Sequence, residues 1–361
     1  MDAARIQGHH WICLHHSRSC SAATRHFRHQ AGTDPMKSLA VIIVVISVLA
    51  VGFVLPNVIG PYFMRLVIFG LIYSLLALAL NLSLGFRGEI SLGHQTFFGF
   101  GAYVAAILAT SLNFSLLLVL PVAALLTSIV GFAVGLVALR MRGPYFAIVT
   151  LSFGVIAEIL AVNLVDITNG PMGISNIGSQ ANSLLGWTTS LKTEVVCYEI
   201  LVGLVCLAGM VTYALRESRY GRAWRALRDH EDLAAAIGIP AFPVDLLSLM
   251  IGAAMCGVAG AVYAFYTSVV APDDVFSFGL VITMLVSVVL GGRGTISGPI
   301  FGAFIFAFAP EYLRVAQEWR LPIFGILLVV LVMLAPQGLI SLALVVIGKT
   351  KKSLRIGDGA R

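Results

Sequence analysis

Ser-Leu-Leu-Leu-Val-Leu-Pro-Val-Ala-Ala-Leu-Leu-Thr-Ser-Ile-Val-Gly-Phe-Ala-Val-Gly-Leu-Val-Ala-Leu, residues 115–139, holds no charged side chain. A helix crossing a hydrocarbon core of about 30 Å needs roughly 20 apolar residues, and this run exceeds that length. Its apolar residues fall on every face, which excludes the one-sided stripe of a surface helix on a soluble domain. It also lacks the alternation of a barrel strand, whose segments run to about ten residues. Arg140 and Arg142 close the run.

Working outward, further apolar runs occupy 38–55, 66–84, 96–112, 145–165, 195–215, 246–268, 280–291, 298–313 and 322–347. Together they predict about ten spans, within a range of roughly eight to eleven. The runs 280–291 and 298–313 are short and separated by Gly291-Gly292-Arg293-Gly294, a pattern expected of half-helices. Composition agrees: 59% of the 361 residues are hydrophobic and 11% are charged, where a soluble domain carries about 25% charged residues. The same figures exclude disorder, which needs low hydrophobicity and high charge. The 36 glycines show no triplet period and five cysteines are too few for a disulfide scaffold. The expected fold is an all-α polytopic membrane protein with an internal repeat and broken helices.

Residues 1–35 differ in composition, holding six of the eight histidines together with Cys13 and Cys20. Cys13, His15, His16 and Cys20 have the residue types of a metal site. The simpler reading is a disordered or non-native N-terminal extension, with Met36-Lys37 as the natural beginning. No metal site is expected. The membrane domain then spans 36–347 and a basic tail 348–361. Run 39–55 has the make-up of a signal-peptide core, but its length favours an uncleaved first span. Cys197, Cys206 and Cys256 lie in apolar runs and read as small hydrophobic residues.

Basic residues give the orientation. Arg140 and Arg142 follow the fourth run; Arg216, Arg219, Arg222, Arg225 and Arg228 follow the sixth; Lys349, Lys351, Lys352 and Arg355 follow the last. Loops rich in Lys and Arg stay cytoplasmic, so these three share a side, with both termini. Loop 166–194, with Lys192 as its one basic residue, falls outside. Topology thus accounts for the net charge of +6, and no nucleic-acid partner is needed.

Leu84-Gly85-Phe86-Arg87-Gly88-Glu89-Ile90-Ser91 aligns with Leu290-Gly291-Gly292-Arg293-Gly294-Thr295-Ile296-Ser297, sharing LGxRGxIS. Each copy follows an apolar run and precedes a Gly- and Phe-rich one. Paired Gly-interrupted segments in corresponding halves point to a transporter's substrate path. The alternative is two similar turns arising by chance in a Gly-rich chain. The span count places both copies on one side, as in parallel halves, while one miscounted span would make the repeat inverted. Helices restarting after such breaks expose N–H groups and partial positive charge, which suit a carboxylate. Ser91, Gly93, His94 and Thr96 lie near the first restart, Ser297 and Gly298 near the second. For His94 the simpler reading is a packed, hydrogen-bonded residue rather than a ligand contact. Glu158 is the acid well inside an apolar run; it must face a cavity, pair with a base or be protonated. A structural hydrogen bond between helices is its simpler role, a substrate-ammonium or proton-relay contact the sharper one.

The loop 216–245 reads RESRYGRAWRALRDHEDLAAAIGIPAFPVD. Arginines three residues apart resemble a voltage sensor. However, Glu217, Ser218 and Gly221 lie among them, and no lipid-length run encloses them. At about 100° per residue such a spacing drifts around the helix, as suits a solvated helix at the membrane surface. Asp232–Ile239 reads as a short alanine-rich helix ended by Gly238 and Pro240. A solvated loop explains the arginines but not this compact helix, which is suited to docking on a partner.

From about Met36 to Ile340 the chain resembles the permease subunits of branched-chain amino acid ABC importers, the LivM branch of the LivH/LivM family. The matching stretches are NLSLGFRGEISLGHQTFFGFGAYVAAIL (81–108), RGPYFAIVTLSFG (142–154), TNGPMGI (168–174), SRYGRAWRALRDHEDLAAAIGI (218–239) and VVLGGRGTISGPIFGAF (288–304). The resemblance implies a second, LivH-type permease, two cytoplasmic ATPases and a periplasmic binding protein as partners. It implies a coupling helix at Glu231, Ala234, Ala235, Ala236 and Gly238, flanked by Arg219, Gly221 and Arg222, that seats on an ATPase. It further implies that Thr168, Asn169, Gly170, Pro171, Met172 and Gly173 line the outer mouth or meet the binding protein. Two departures stand out: the 35-residue leader, and the lack of a charged pair soon after SFG in 153–160. Leucine, isoleucine and valine are the implied substrates; related permeases carry urea, short amides or aromatic acids. An ion-coupled secondary transporter is the rival class, but it would need buried ion-coupling pairs, and only Glu158 and His94 are at hand. No catalytic constellation is visible, so an enzyme is not expected. A phosphate loop needs GxxxxGK[ST], but Gly348-Lys349-Thr350 is preceded by Ala343 and Leu-Val-Val-Ile, the end of a span. The chain is expected to bind no cofactor, with ATP used by its partners.

Overall fold

The computed structural model describes residues 60–177 and 193–312, together with Gly325. The expected spans 38–55 and 322–347, the extension 1–35 and the tail 348–361 lie outside them, as does Lys192. Every other expected span is a helix. They are α1 (Pro61–Asn81), α2 (His94–Ser111), α3 (Leu116–Ala138), α4 (Pro144–Asn163), α6 (Thr193–Glu217), α9 (Ala241–Thr267), α11 (Phe278–Gly291) and α12 (Ser297–Tyr312). Between them lie the short helices α5 (Val165–Thr168), α7 (Arg219–Asp229), α8 (Glu231–Ala236) and α10 (Pro272–Val275). Among the described residues, six helical segments are long and apolar enough to cross a membrane.

The all-round apolar runs become helices because a backbone in lipid must satisfy its own N–H and C=O groups. Their ends are set locally. Ser277 accepts the N–H of Leu280 at the start of α11. Pro61 and Pro144 open α1 and α4 in the first turn, where no N–H is needed. Pro121 falls within the first turns of α3.

Helices α1 and α9 form the centre. Helix α9 packs on α1, α2 and α3, and α12 packs on α1 and α11. The α2–α9 contact is close because glycines face it: a Cβ on Gly101 would stand 2.3 Å from the Gly257 carbonyl oxygen, and one on Gly260 2.1 Å from that of Phe98. Small residues that let backbones approach are the usual device where lipid removes the hydrophobic drive between helices. Helices α3 and α4 are peripheral, exposing Leu125, Ile129, Ile148, Ile156 and Ile159.

Two structural features exceed the sequence reading. Helix α1 does not stop at Leu84 but continues as a π-helical turn, Leu82–Arg87, ended by Gly88 in the left-handed region (φ 86°). In addition, the loop after α4 contains a two-residue strand, β1 (Ile174–Ser175), paired antiparallel with β2 (Val269–Val270). This small sheet ties the ends of α4 and α9 together, at the end of the bundle opposite the arginine-rich loop.

Both copies of LGxRGxIS lie at the basic end. The helices leading into them, α1 and α11, run the same way and end side by side: a Cβ on Gly85 would stand 2.6 Å from the Gly294 nitrogen. The helices leaving them, α2 and α12, run back together, and Tyr62 at the start of α1 donates a hydrogen bond to Glu311 near the end of α12. The repeat is therefore parallel in the described residues.

Candidate coupling site and substrate path

The basic end is organised around one arginine. Arg87, buried at the end of the π-helical turn, places Nε 2.7 Å from Asp245 Oδ1 at the start of α9. Its Nη2 lies 3.2 Å from Glu89 Oε1 and 3.4 Å from Glu231 Oε2, and its Nη1 donates to the Leu227 carbonyl at 3.4 Å. Glu231 in turn meets the exposed Arg142 at 3.4 Å. One guanidinium thus joins α1, α7, α8 and α9, and Glu231 extends the network to the α3–α4 turn. Glu89 is pushed up to about 7, chiefly by burial and further by the Asp245 and Glu231 carboxylates, against the pull of Arg87 and Arg142. Arg87 and Asp245 were not singled out by sequence reasoning. The available signals were the arginine within the repeat and an acid at the head of an apolar run.

The loop 216–245 holds two short helices, α7 with the arginines and α8 with the alanines. Ser218 separates α6 from α7, its Oγ accepting the Tyr220 N–H at 3.1 Å, which is a favoured helix N-cap arrangement. Gly221, Trp224 and Leu227, three residues apart, turn inward. Trp224 is fully buried and its Nε1 donates to the Val244 carbonyl at 2.9 Å, fixing α7 to the first turn of α9. Gly221 is a packing residue: a Cβ there would stand 2.2 Å from the Arg216 carbonyl oxygen. Arg219 lies over the Tyr220 ring at 5.2 Å and Arg222 donates to the Glu217 carbonyl at 3.2 Å.

Helix α8 ends in a Schellman motif. The Gly238 N–H bonds to the Ala235 carbonyl and the Ile239 N–H to that of Ala234, both at 3.0 Å, with Gly238 at φ 86°. Of the residues expected on a docking helix, Ala234 is buried and Glu231 is turned to Arg87, whereas Ala235, Ala236 and Gly238 are exposed. Beside them Leu233 and Ile237, which sequence reasoning passed over, are 64% and 76% exposed. Their spacing of four residues is the available signal, since it places them on one face.

The first restart lies deeper. Helix α2 begins at His94, whose Nε2 would stand 3.3 Å from a Cβ on Gly252, near the middle of α9. His94 Nδ1 is 3.1 Å from Ser91 Oγ, and both residues are buried. Gly93 lies against the Thr150 carbonyl, 2.4 Å from where its Cβ would be, and the Leu92 N–H donates to Thr150 Oγ1 at 3.0 Å. His94 Nε2, Gln95 Oε1 and Thr96 Oγ1 are buried without a hydrogen-bond partner. Unsatisfied buried polar atoms are costly, so their gathering at one helix start sets this place apart from the apolar packing around it. Ser91, Gly93, His94 and Thr96 are therefore together. Glu158 stands apart on α4, half-buried, one turn beyond Gly154, which packs against Gln95. Ser297 and Gly298 belong to the second break: Ser297 is exposed, and the Gly298 N–H donates to Thr295 Oγ1 at 3.1 Å. Among the described residues no hydrogen bond links the two sets.

At the opposite end, Thr168 is buried and its Oγ1 donates to the Ala161 carbonyl at 2.6 Å, closing the end of α4. Asn169, Gly170 and Gly173 all take positive φ, and a Cβ on Gly173 would stand 2.1 Å from the Val270 carbonyl oxygen. Met172 is bare to solvent. Asn169 lines a hollow of about 320 Å³ with Thr110, Ser111 and Asp166. Among the described residues no group of His, Cys, Asp and Glu is placed to hold a metal.

Residues 62–335 match the family described as branched-chain amino acid transport system / permease component. The high-affinity branched-chain amino acid transport system permease protein LivM of Escherichia coli K12 is 33% identical over 309 residues, covering 80% of this chain and 71% of the relative. Permease protein LivH of Salmonella typhimurium LT2 is 27% identical over 287 residues, 75% of this chain and 92% of the relative. Permease protein BraD of Pseudomonas aeruginosa PAO1 is 25% identical, with 71% and 84% covered. No solved structure matches the chain.

Proposed function

The chain belongs to the family of branched-chain amino acid transport permease components. On that premise we propose that it is the LivM-type membrane subunit of an ABC importer carrying leucine, isoleucine and valine across a bacterial inner membrane. It pairs with a LivH-type permease, two cytoplasmic ATPases and a periplasmic binding protein. The runs 38–55 and 322–347 complete about ten spans, and the basic end is cytoplasmic with both termini. The observation that carries the coupling part is helix α8: a six-residue helix outside the apolar bundle that presents Leu233 and Ile237 bare. Apolar side chains grouped on an exposed, rigidly capped helix fit a hydrophobic cleft on a partner. The chain's own sequence offers no phosphate loop, so ATP hydrolysis is the partner's chemistry.

The substrate passes the start of α2, where the unpartnered groups of His94, Gln95 and Thr96 offer polar contacts beside a helix N-terminus suited to a carboxylate. The hollow at Asn169 and Asp166 belongs to the outer mouth. The test is purification of the tagged chain from its native membrane in mild detergent, as wild type and as Leu233→Asp/Ile237→Asp. The wild type is expected to retain a second permease and two P-loop ATPases, and the double variant to lose the ATPases by about 2 kcal/mol of affinity. A chain that purifies alone with transport intact would overturn the importer reading. ATPases held equally by both forms would overturn the assignment to α8.

A further inference from the structure

The five arginines of the cytoplasmic loop are not equivalent. Arg216 meets Glu217, Arg219 lies over Tyr220, Arg222 bonds the Glu217 carbonyl and Arg225 that of Gly221, all within the loop and its own helices. Arg228 alone of the five reaches into the repeat. Its Nη1 donates to the Gly85 carbonyl at 2.6 Å, and its Cγ lies 3.0 Å from where a Cβ on Gly88 would stand. The same Nη1 is 3.4 Å from the corresponding point on Gly294 in the second copy. A general preference for cytoplasmic positive charge does not account for this reach.

The two copies are already in contact beneath it. The Asn81 side chain donates through Nδ2 to the Thr295 carbonyl at 2.8 Å and accepts the Gly294 N–H on Oδ1 at 3.0 Å. Both partners sit in the second break, so one amide clasps it to the end of α1. The glycines at 85, 88 and 294 leave room for the Arg228 side chain to lie across the seam. Arg228 is the last arginine of α7, one turn before Glu231 and the exposed Leu233. A displacement of the α7–α8 pair therefore moves Arg228 relative to the seam.

We infer that Arg228 is a positioning residue for transport: it holds the two LGxRGxIS breaks together and lets them part when the α7–α8 pair is displaced. This rests on the importer reading above and names how the coupling helix reaches the path. The bond suits such a role. A guanidinium on a backbone carbonyl is a charge-assisted hydrogen bond, strong when made, yet at an exposed residue it exchanges readily for water.

The experiment uses the complete importer reconstituted in vesicles, with the binding protein and leucine inside the assay. Arg228→Met keeps the aliphatic packing and removes the donor; Arg228→Lys keeps a donor; Arg225→Met removes a charge from the same helix without touching the seam. In Arg228→Met, leucine carried per ATP hydrolysed is expected to fall about tenfold, within the usual range of coupling between sites. ATP hydrolysis persists with an unchanged KM for ATP, Arg228→Lys recovers part of the loss, and Arg225→Met behaves as wild type. Independently, Ile296→Cys, in a background lacking the native cysteines, is expected to react faster with a membrane-impermeant maleimide when Arg228 is Met. Unchanged stoichiometry together with unchanged labelling would overturn the role of Arg228. Equal losses in Arg228→Met and Arg225→Met would assign the effect to loop charge and overturn it too. If the wild-type complex moves no branched-chain amino acid, the importer reading fails, while the labelling comparison still decides whether Arg228 holds the seam.

Discussion

Arg87 brings one positive charge to Asp245, Glu89 and Glu231 at a place where water is largely excluded. Removing one partner of a buried ion pair leaves the others uncompensated, at about 3–5 kcal/mol, although a well-packed apolar replacement of the whole pair is often neutral. Arg87→Met is therefore expected to lower the thermal midpoint in detergent by far more than Arg87→Met/Asp245→Leu. Equal midpoints for the two would show that the pair is not coupled. Glu89 adds a pH dependence. Its folded-state value is raised from 4.5 to about 7, so the folded state keeps a proton that the unfolded chain releases. The contribution is full below about 4.5 and is lost as pH rises through about 7. The charged groups facing it are Arg87, Asp245, Glu231 and Arg142. Stability measured from pH 5 to 8 should decline with pH in the wild type and decline less in Glu89→Gln; parallel curves would assign the decline to other groups. None of this was legible in the sequence as a site. Arg87 and Asp245 are 158 positions apart, and hydropathy carries no information about which charge will meet which.

At the scale of elements the sequence was far more explicit. Apolar length alone located the eight long helices of the described residues, because a single segment in lipid can satisfy its own backbone only as a helix. The Gly-rich breaks were equally plain. The π-helical turn at 82–87 was not, since it differs from α-helix by a register shift that leaves composition unchanged. The pairing of Ile174–Ser175 with Val269–Val270 depends on two loops meeting, which no local pattern encodes. Helix α8 shows both sides: its existence and its glycine stop were readable, but the face it presents was set by Glu231 turning inward to Arg87. Gly238 has open space around it and a φ of 86°. Its replacement by Leu therefore costs backbone strain of about 1–2 kcal/mol, with no steric clash to add. Gly238→Leu should loosen the end of α8 and lower transport per ATP hydrolysed while the chain still inserts and assembles. Full transport in that variant would mean that the α8 cap does not matter for coupling.

The described long helices form an up-and-down bundle whose two ends differ in chemistry. One carries Arg87, Arg142, the arginines of α6 and α7, and the two breaks; the other carries the β1–β2 pair, the turn 168–173 and Asp166. Each consecutive long helix reverses direction, so the side of one loop fixes the side of all. Arginine is held back from translocation, which is the ground for proposing that the first end faces the cytoplasm. Both ends can be tested with a single reagent. In a background without Cys13, Cys20, Cys197, Cys206 and Cys256, Asn169→Cys lies on the rim of the outer hollow and Arg225→Cys on an exposed face of α7. A membrane-impermeant thiol reagent added to intact cells is expected to modify the first and spare the second; inverted vesicles should reverse the pattern. Labelling of both from one side would break the alternation of the helices. The opposite pattern would invert the molecule, moving α8 away from any cytoplasmic ATPase and removing the ground for its assignment. Because the described long helices alternate in direction, one labelled residue at each end suffices to orient the described bundle.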